Sequence, residues 1–302
     1  MPISLLPCLG QAASATTTSP LMDHISLVQA VVIGIVQGLT EFLPISSTAH
    51  IKMVPVALGW GDPGVAFTAV IQLGRIAAIL WYFWADLAEV FGGMVKAGIA
   101  RQYSSPAFRL GLGILLGTVP IVLGGLLIKA FIPDFDNSPL RNSSTIALVS
   151  IIMALLLGTA EIVGRRQRGF AALGLGDGLS MGLAQVLALI PGVSRSGSTL
   201  TAGLFMGLER ATAARFSFLL GVPAITLAGL VELKGVLENG LSGIGWGPLL
   251  AGLLAALITS YLSIAWLLRF LKQHSTWVFV FYRLAFGAAI LFALATGRME
   301  NI

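Results

Sequence analysis

Two polar runs interrupt an otherwise apolar chain. The first is Gln37-Gly-Leu-Thr-Glu41-Phe-Leu-Pro44-Ile-Ser46-Ser47-Thr48-Ala-His50. Gln37 and Glu41 are spaced i, i+4 and so share one helical face. Pro44 lacks an amide donor and stops the helix three residues past Glu41. A carboxylate, hydroxyls and an imidazole therefore fall within about one turn and a loop. These groups can supply a general base, a nucleophile or a metal ligand. A plainer reading makes Glu41 an ion-pair partner and uses the hydroxyls to satisfy broken backbone. For a lone Glu the plainer reading is preferred; the clustering favours chemistry.

The second run is Pro191-Gly-Val-Ser194-Arg195-Ser196-Gly197-Ser-Thr199. Its glycines let backbone N–H groups approach an anion closely. Arg195 offers a planar fork that matches phosphate oxygens. The apolar stretch Leu200–Leu208 follows, and its helix N-terminus would favour negative charge. This pattern reads as an oxyanion cradle. The plainer alternative is a capping loop whose Arg pairs with Glu41. If the two runs face each other, an acid-and-nucleophile side opposes a phosphate side. That layout suits phosphoryl chemistry on a lipid-borne phosphate. Glycan or peptide chemistry is less favoured, because the rest of the chain offers no wide polar cleft.

The elements that position these runs lie in a membrane. Of 302 residues, 56% are hydrophobic and only 10% are charged, where a soluble domain carries about 25%. Mean hydropathy is +0.92. A soluble enzyme, a disordered protein and a secreted disulfide scaffold are excluded. Cys8 is the single cysteine, so no intrachain disulfide or Cys-based metal site forms. The net charge of +5 fits basic loops against anionic lipid, not a nucleic-acid partner.

Six stretches are long enough to cross the hydrocarbon core: Val65–Phe83, Phe108–Ile132, Thr145–Val163, Arg215–Leu233, Trp246–Leu268 and Trp277–Ala295. The two interrupted stretches, Ile25–His50 and Leu173–Thr199, read as re-entrant segments that enter and leave on one side. The loops 86–107, 164–172, 208–214 and 269–276, with their flanking span ends, then hold ten Lys and Arg against five on the other side. The basic side is cytoplasmic, which puts both termini outside. Treating each interrupted stretch as a full span gives a poorer charge asymmetry. Residues 1–20, rich in Ser, Thr and Ala, are expected to be a disordered extension.

A faint internal echo is present. Gly34-Ile-Val-Gln37 precedes Pro44 and Ser47; Gly182-Leu-Ala-Gln185 precedes Pro191 and Ser194. Leu115-Leu-Gly117-Thr-Val-Pro120 echoes Leu219-Leu-Gly221-Val-Pro223. The expected fold is an all-α polytopic membrane protein: six transmembrane helices plus two re-entrant helical hairpins in an inverted repeat. It forms one transmembrane domain over residues 21–302, with repeat one at about 25–132, repeat two at about 173–236 and further helices to 297. Such repeats place a binding site near the midplane.

The motif Gln37-x-x-x-Glu41-Phe-Leu-Pro-Ile-Ser-Ser-Thr-Ala-His50, together with Pro191-Gly-Val-Ser-Arg-Ser-Gly-Ser-Thr199, resembles the two signatures of the bacterial undecaprenyl-pyrophosphate phosphatase family, the bacitracin-resistance type. Phe67-Thr-Ala-Val-Ile-Gln72-Leu-Gly and Phe281-Tyr282-Arg283 also look like that family. The resemblance covers about residues 21–297. It implies a diphosphatase of the bacterial inner membrane, opening toward the outer face and assisted by a divalent cation, Mg²⁺ or Ca²⁺. The reaction recycles the C55 lipid carrier of peptidoglycan synthesis and gives bacitracin resistance. Glu41 matches the essential acid and metal ligand, and Ser47 and His50 match the nucleophile and acid–base candidates. Ser194, Arg195, Ser196 and Thr199 match the phosphate-binding loop. Arg195 is counted with the catalytic set. Gln37, Ser46, Thr48 and Gly197 complete the residues expected at the substrate.

The chain departs from the family pattern in three places. Gln37 stands where many members have Glu, Ala49 where Gly is usual, and Arg75 where a small residue is usual. The sequence gives no account of Arg75 beyond a pairing with a carboxylate such as Glu41. Arg283, judged to lie near the cytoplasmic third of its span, ranks below the loop residues. A Ser47 nucleophile and a water activated by Glu41 or His50 are both open. The partners implied are a long-chain prenyl diphosphate and membrane lipid; a homodimer is compatible with the sequence but not specified by it. The rival reading is a flippase or secondary transporter for a lipid phosphate or other anion, which would need no nucleophile. A purely structural protein is disfavoured by the apolar settings of Glu41 and Arg195.

Overall fold

The computed structural model describes residues 25–60, 64–132, 135, 138–239 and 245–301. The segment 1–20 and Cys8 lie outside this set. Every regular element among the described residues is helical, and one isolated bridge, Arg168 to Leu208, joins two loops. The α-helices are α1 (Leu27–Phe42), α2 (Ser47–Ala57), α3 (Val65–Tyr82), α4 (Trp84–Ile99), α5 (Pro106–Phe131) and α6 (Ser143–Val163). They continue with α7 (Leu175–Val186), α8 (Arg195–Phe205), α9 (Arg210–Asn239), α10 (Trp246–Gln273) and α11 (Trp277–Ala295).

Five helices, α5, α6, α9, α10 and α11, are long and apolar enough to cross a membrane. The chain is therefore a multi-pass membrane protein. The expected sixth span, Val65–Phe83, qualifies only together with α4, to which it is bent by 67°. The expected loop 86–107 is corrected: α4 occupies most of it. Asp86 and Lys96 made this stretch look like a loop, yet Leu87, Val90 and Ala97 share a buried face at helical spacing.

Both interrupted stretches are helix–break–helix hairpins whose arms pack on each other, α1 on α2 and α7 on α8. Ser26 opens α1 with a capping box to Gln29. The breaks fall at Leu43–Ser46 and Ile190–Ser194, where the sequence expects them. The second arms start earlier than expected. Arg195, not Leu200, is the first residue of α8, so the Arg-Ser-Gly run is itself the helix N-terminus. In the same way Ser47 is the first residue of α2.

The N-cap residues share an unusual backbone. Ser46 has φ 75°, ψ 99° and Ser194 has φ 73°, ψ 119°. This left-handed region disfavours side chains and persists only where packing enforces it. The register it marks pairs Ser46 with Ser194, one residue earlier than the proline spacing suggested. Gly34 pairs with Gly182 and Gln37 with Gln185 in that same register.

Each first arm docks on a helix distant in sequence. A Cβ on Gly34 would lie 2.3 Å from the Gly252 carbonyl of α10, and one on Gly182 would lie 2.2 Å from the Gly117 carbonyl of α5. Glycine at these positions lets backbones touch where lipid supplies no hydrophobic driving force. One end of the bundle is tied by charge. Glu161 accepts from Arg166, Arg210 and Thr276, joining the end of α6 to the starts of α9 and α11. Arg215 pairs with Asp86 of α4 nearby in the chain order of α9. These contacts gather the loops that the basic-residue count had placed on one side. Lys52 and Arg141 meet elsewhere, with Lys52 donating to the Arg141 carbonyl at 2.7 Å.

Candidate active site

The two breaks meet, and Arg283 of α11 joins them. Its side chain is buried, and its donors all go to backbone carbonyls: Ser150 at 3.2 Å, Pro44 at 3.2 Å, Val193 at 3.0 Å and Gly192 at 2.7 Å. Helices that stop at a proline leave carbonyls without amide partners. Arg283 satisfies three of these, from both motifs. Gly197 must be glycine for this fit, since a Cβ there would sit 2.9 Å from the guanidinium. The Ser196 hydroxyl adds a second tie, donating to the Leu43 carbonyl at 2.9 Å.

Glu41 lies at the end of α1, beside this junction. Its Oε2 accepts from Ser47 Oγ at 2.7 Å and from Gln37 Nε2 at 3.1 Å, and Arg75 lies 2.6 Å away. Its Oε1 faces Arg195 at 4.0 Å. The expected pairing of Arg75 with Glu41 is present. Arg195 itself is nearly buried, and its Nε and one terminal nitrogen have no hydrogen-bond partner. Buried donors left bare cost about 1–3 kcal/mol each, and an anionic oxygen is an acceptor they could take. Ser47 is half-buried, so the cluster reaches the surface at that hydroxyl.

The second loop is arranged differently from the expected cradle of hydroxyls. Ser194 Oγ caps the Gly197 amide at 3.2 Å and pairs with Ser196 Oγ. Thr199 is fully buried, donating to the Arg195 carbonyl at 2.8 Å and meeting Ser217 Oγ at 2.5 Å. Ser217 also offers its carbonyl to Arg195 at 3.4 Å. These hydroxyls therefore position Arg195, and the anion donors left are the guanidinium and the first-turn amides of α8. Gly221 of α9 gives the guanidinium its room: a Cβ there would lie 2.1 Å from it. Gly221→Ala is expected to push Arg195 aside and lower turnover about 10²-fold, the effect of roughly 1 Å of misplacement. Assay of the folded variant checks this.

His50 is not brought to Ser47 by any hydrogen bond. Its Nδ1 meets the Ser46 carbonyl at 2.7 Å and its Nε2 meets the Tyr282 hydroxyl at 2.6 Å, with Phe286 stacked at 4.3 Å. With both ring nitrogens engaged, His50 holds the strained Ser46 turn and fastens α2 to α11. Tyr282→Phe is expected to lower stability by about 1 kcal/mol while leaving turnover within about tenfold of wild type. Thermal unfolding in detergent beside the activity assay measures both. Thr48 is exposed and lies outside the cluster. Ser46 contributes its carbonyl, not a capping hydroxyl. Depth in the span undervalues Arg283; a charge buried amid an apolar helix is the stronger signal.

In this multi-pass helical membrane protein two broken helices meet around a carboxylate, a hydroxyl and two guanidiniums, an arrangement able to bind an oxyanion. Residues 30–289 match the family described as Bacitracin resistance protein BacA. Proteins named undecaprenyl-diphosphatase are similar to nearly the whole chain. That of Synechococcus elongatus is 65% identical over 280 residues, covering 93% of this chain and 97% of the relative. That of Trichormus variabilis is 60% identical over 299 residues, covering 99% and 93%, and that of Synechocystis sp. is 64% identical over 273 residues, covering 90% and 84%. The chain belongs to the bacitracin resistance protein BacA family.

Proposed function

We propose that this protein is an undecaprenyl-diphosphatase, hydrolysing undecaprenyl diphosphate to undecaprenyl phosphate and inorganic phosphate. It thereby recycles the lipid carrier of cell-wall synthesis and gives bacitracin resistance. One observation carries the reading: the Ser47 hydroxyl donates to Glu41 at 2.7 Å beside an arginine with unfilled donors. Nucleophile, base and phosphate ligand thus stand together.

Arg195 and the first amides of α8 hold the terminal phosphoryl group. Glu41 takes the Ser47 proton, and Ser47 Oγ forms a bond to the terminal phosphorus. The bond from that phosphorus to the bridging oxygen breaks, and undecaprenyl phosphate leaves. Water then hydrolyses the phosphoserine, returning the proton to Ser47 and releasing inorganic phosphate. In the alternative, Glu41 activates water and Ser47 orients it. His50 serves either route by fixing the Ser46 turn.

The residues fit a divalent cation. Gln37 Oε1 is buried without a partner, and Glu41 Oε1 has only Arg195 at 4.0 Å. Both are hard oxygens of the kind Mg²⁺ and Ca²⁺ take, the rest coming from water and phosphate. Among the described residues no group of three His, Cys, Asp or Glu gathers, here or elsewhere, so water and phosphate would supply most of the shell. Bound there, the cation would neutralise charge on the diphosphate.

The paired breaks, with matching positive-φ backbone at Ser46 and Ser194, support re-entrant hairpins in an inverted repeat. The chain then sits in the bacterial inner membrane with its site open to the outer face. The test is phosphate release from a long-chain prenyl diphosphate by detergent-purified protein, with Mg²⁺, with Ca²⁺ and with chelator. Metal-dependent release that Glu41→Gln abolishes is expected. No release from folded wild-type protein would overturn the reading and favour a carrier.

A further inference from the structure

The base Glu41 is held by more donors than it needs, and they crowd one atom. Oε2 takes Ser47, Gln37 and Arg75 within 3.1 Å, while Oε1 takes only Arg195 at 4.0 Å. A carboxylate oxygen has about two lone-pair sites, so one of the three is surplus. Arg75 is the one with somewhere to go. Its Nε is buried and without a partner. Its other terminal nitrogen donates to Gln72 Oε1, one turn earlier on α3. Glu232 of α9 lies near the Gln72 side chain, and its buried Oε2 has no hydrogen-bond partner. Arg75 is thus braced from outside the catalytic cluster by α3 and α9, with one face turned to Glu41. Glu41, a single carboxylate, faces two guanidiniums, Arg75 at 2.6 Å and Arg195 at 4.0 Å. That surplus suits a diphosphate, and Glu41 alone does not call for it.

We propose that Arg75 is a second diphosphate-binding arginine, which passes from Glu41 to the phosphate when substrate enters. The transfer has two effects. The substrate gains a second guanidinium across from Arg195. Glu41 Oε2 loses its cation and keeps Ser47, so the carboxylate becomes a better acceptor for the Ser47 proton only when a phosphoryl group is present. Gln72 and Glu232 are positioning residues: they hold the Arg75 side chain in reach of both partners. The inference rests on the diphosphatase reading.

The experiment compares full-length wild type, Arg75→Gln, Gln72→Leu and Arg195→Ala in detergent. It measures KM and kcat for a long-chain prenyl diphosphate and calorimetric binding of methylene diphosphonate, which is not hydrolysed. Arg75→Gln is expected to raise KM and the diphosphonate Kd about 10- to 100-fold, the loss of one charge-assisted contact. Gln72→Leu keeps the charge and loses the brace, so KM should rise about threefold with kcat held, a small part of one such contact. An Arg75→Gln protein that binds diphosphonate like wild type, while Arg195→Ala binds it weakly, would reduce Arg75 to an ion-pair partner of Glu41. If Arg75→Gln does not fold, an unchanged KM in Gln72→Leu would overturn the proposal. Wild-type protein that binds diphosphonate but releases no phosphate would sink the diphosphatase reading and leave Arg75 to be judged on binding.

Discussion

Replacing Arg195 by alanine is expected to lower phosphate release about 10³-fold or more, the loss seen when a charge-stabilising arginine is removed from phosphoryl transfer. The reason is specific to its setting. Arg195 is nearly buried, close to Glu41 without a short contact, and two of its three nitrogens have no hydrogen bond. A guanidinium whose donors were already filled would have none to offer a ligand. One held bare by Thr199, Ser217 and Gly221 is held for a ligand. The fold should survive the change, because its one retained hydrogen bond, to the Ser217 carbonyl, is long at 3.4 Å. Single-turnover kinetics beside thermal unfolding separate the two effects. A stable Arg195→Ala protein with near-normal turnover would remove Arg195 from the reaction.

Arg283→Met is expected to affect both fold and rate. Four carbonyls, at Pro44, Ser150, Gly192 and Val193, lose their donor in a dry interior. Relief from burying a cation offsets part of this. A net loss of about 3 kcal/mol follows if each bare carbonyl counts at the low end of its range. Turnover should fall at least about 10²-fold, because the two breaks that carry Glu41 and Arg195 are no longer pinned together. Arg283→Lys should recover less than half of the stability, since a point charge cannot serve four carbonyls as a fork does. Thermal unfolding, activity and proteolysis at the two breaks measure this. A Met variant with wild-type melting and rate would sink the role given to Arg283.

Much of this arrangement is legible in the sequence because its signals are local. Pro44 and Pro191 mark both breaks. The i, i+4 spacing of Gln37 and Glu41 puts them on one face. Arg75, an ionisable residue within an apolar helix, points to a carboxylate partner. Other features rest on contacts that sequence spacing does not encode. Ser47 and His50 are spaced i, i+3 on α2, which puts them on neighbouring positions of one face, but the imidazole is held by the Ser46 carbonyl and by Tyr282, a partner 232 residues away. The hydroxyls of the second loop look like phosphate ligands by type. Their bonds to Leu43 and Ser217 are long-range contacts that no spacing encodes. Asp86 and Lys96 hid α4, because charge on the solvated face of a helix resembles a loop to a hydropathy window.

Arg283 also sets an order of events during synthesis. Glu41 leaves the ribosome early and Arg195 midway, but the guanidinium that fastens their two breaks follows later, in α11. The carboxylate and Arg195 can insert long before they are fixed against each other. A nascent chain that has not yet made α11 therefore carries both without an assembled site. Activity would appear only as α11 docks, so a chain stopped before it stays silent in the membrane.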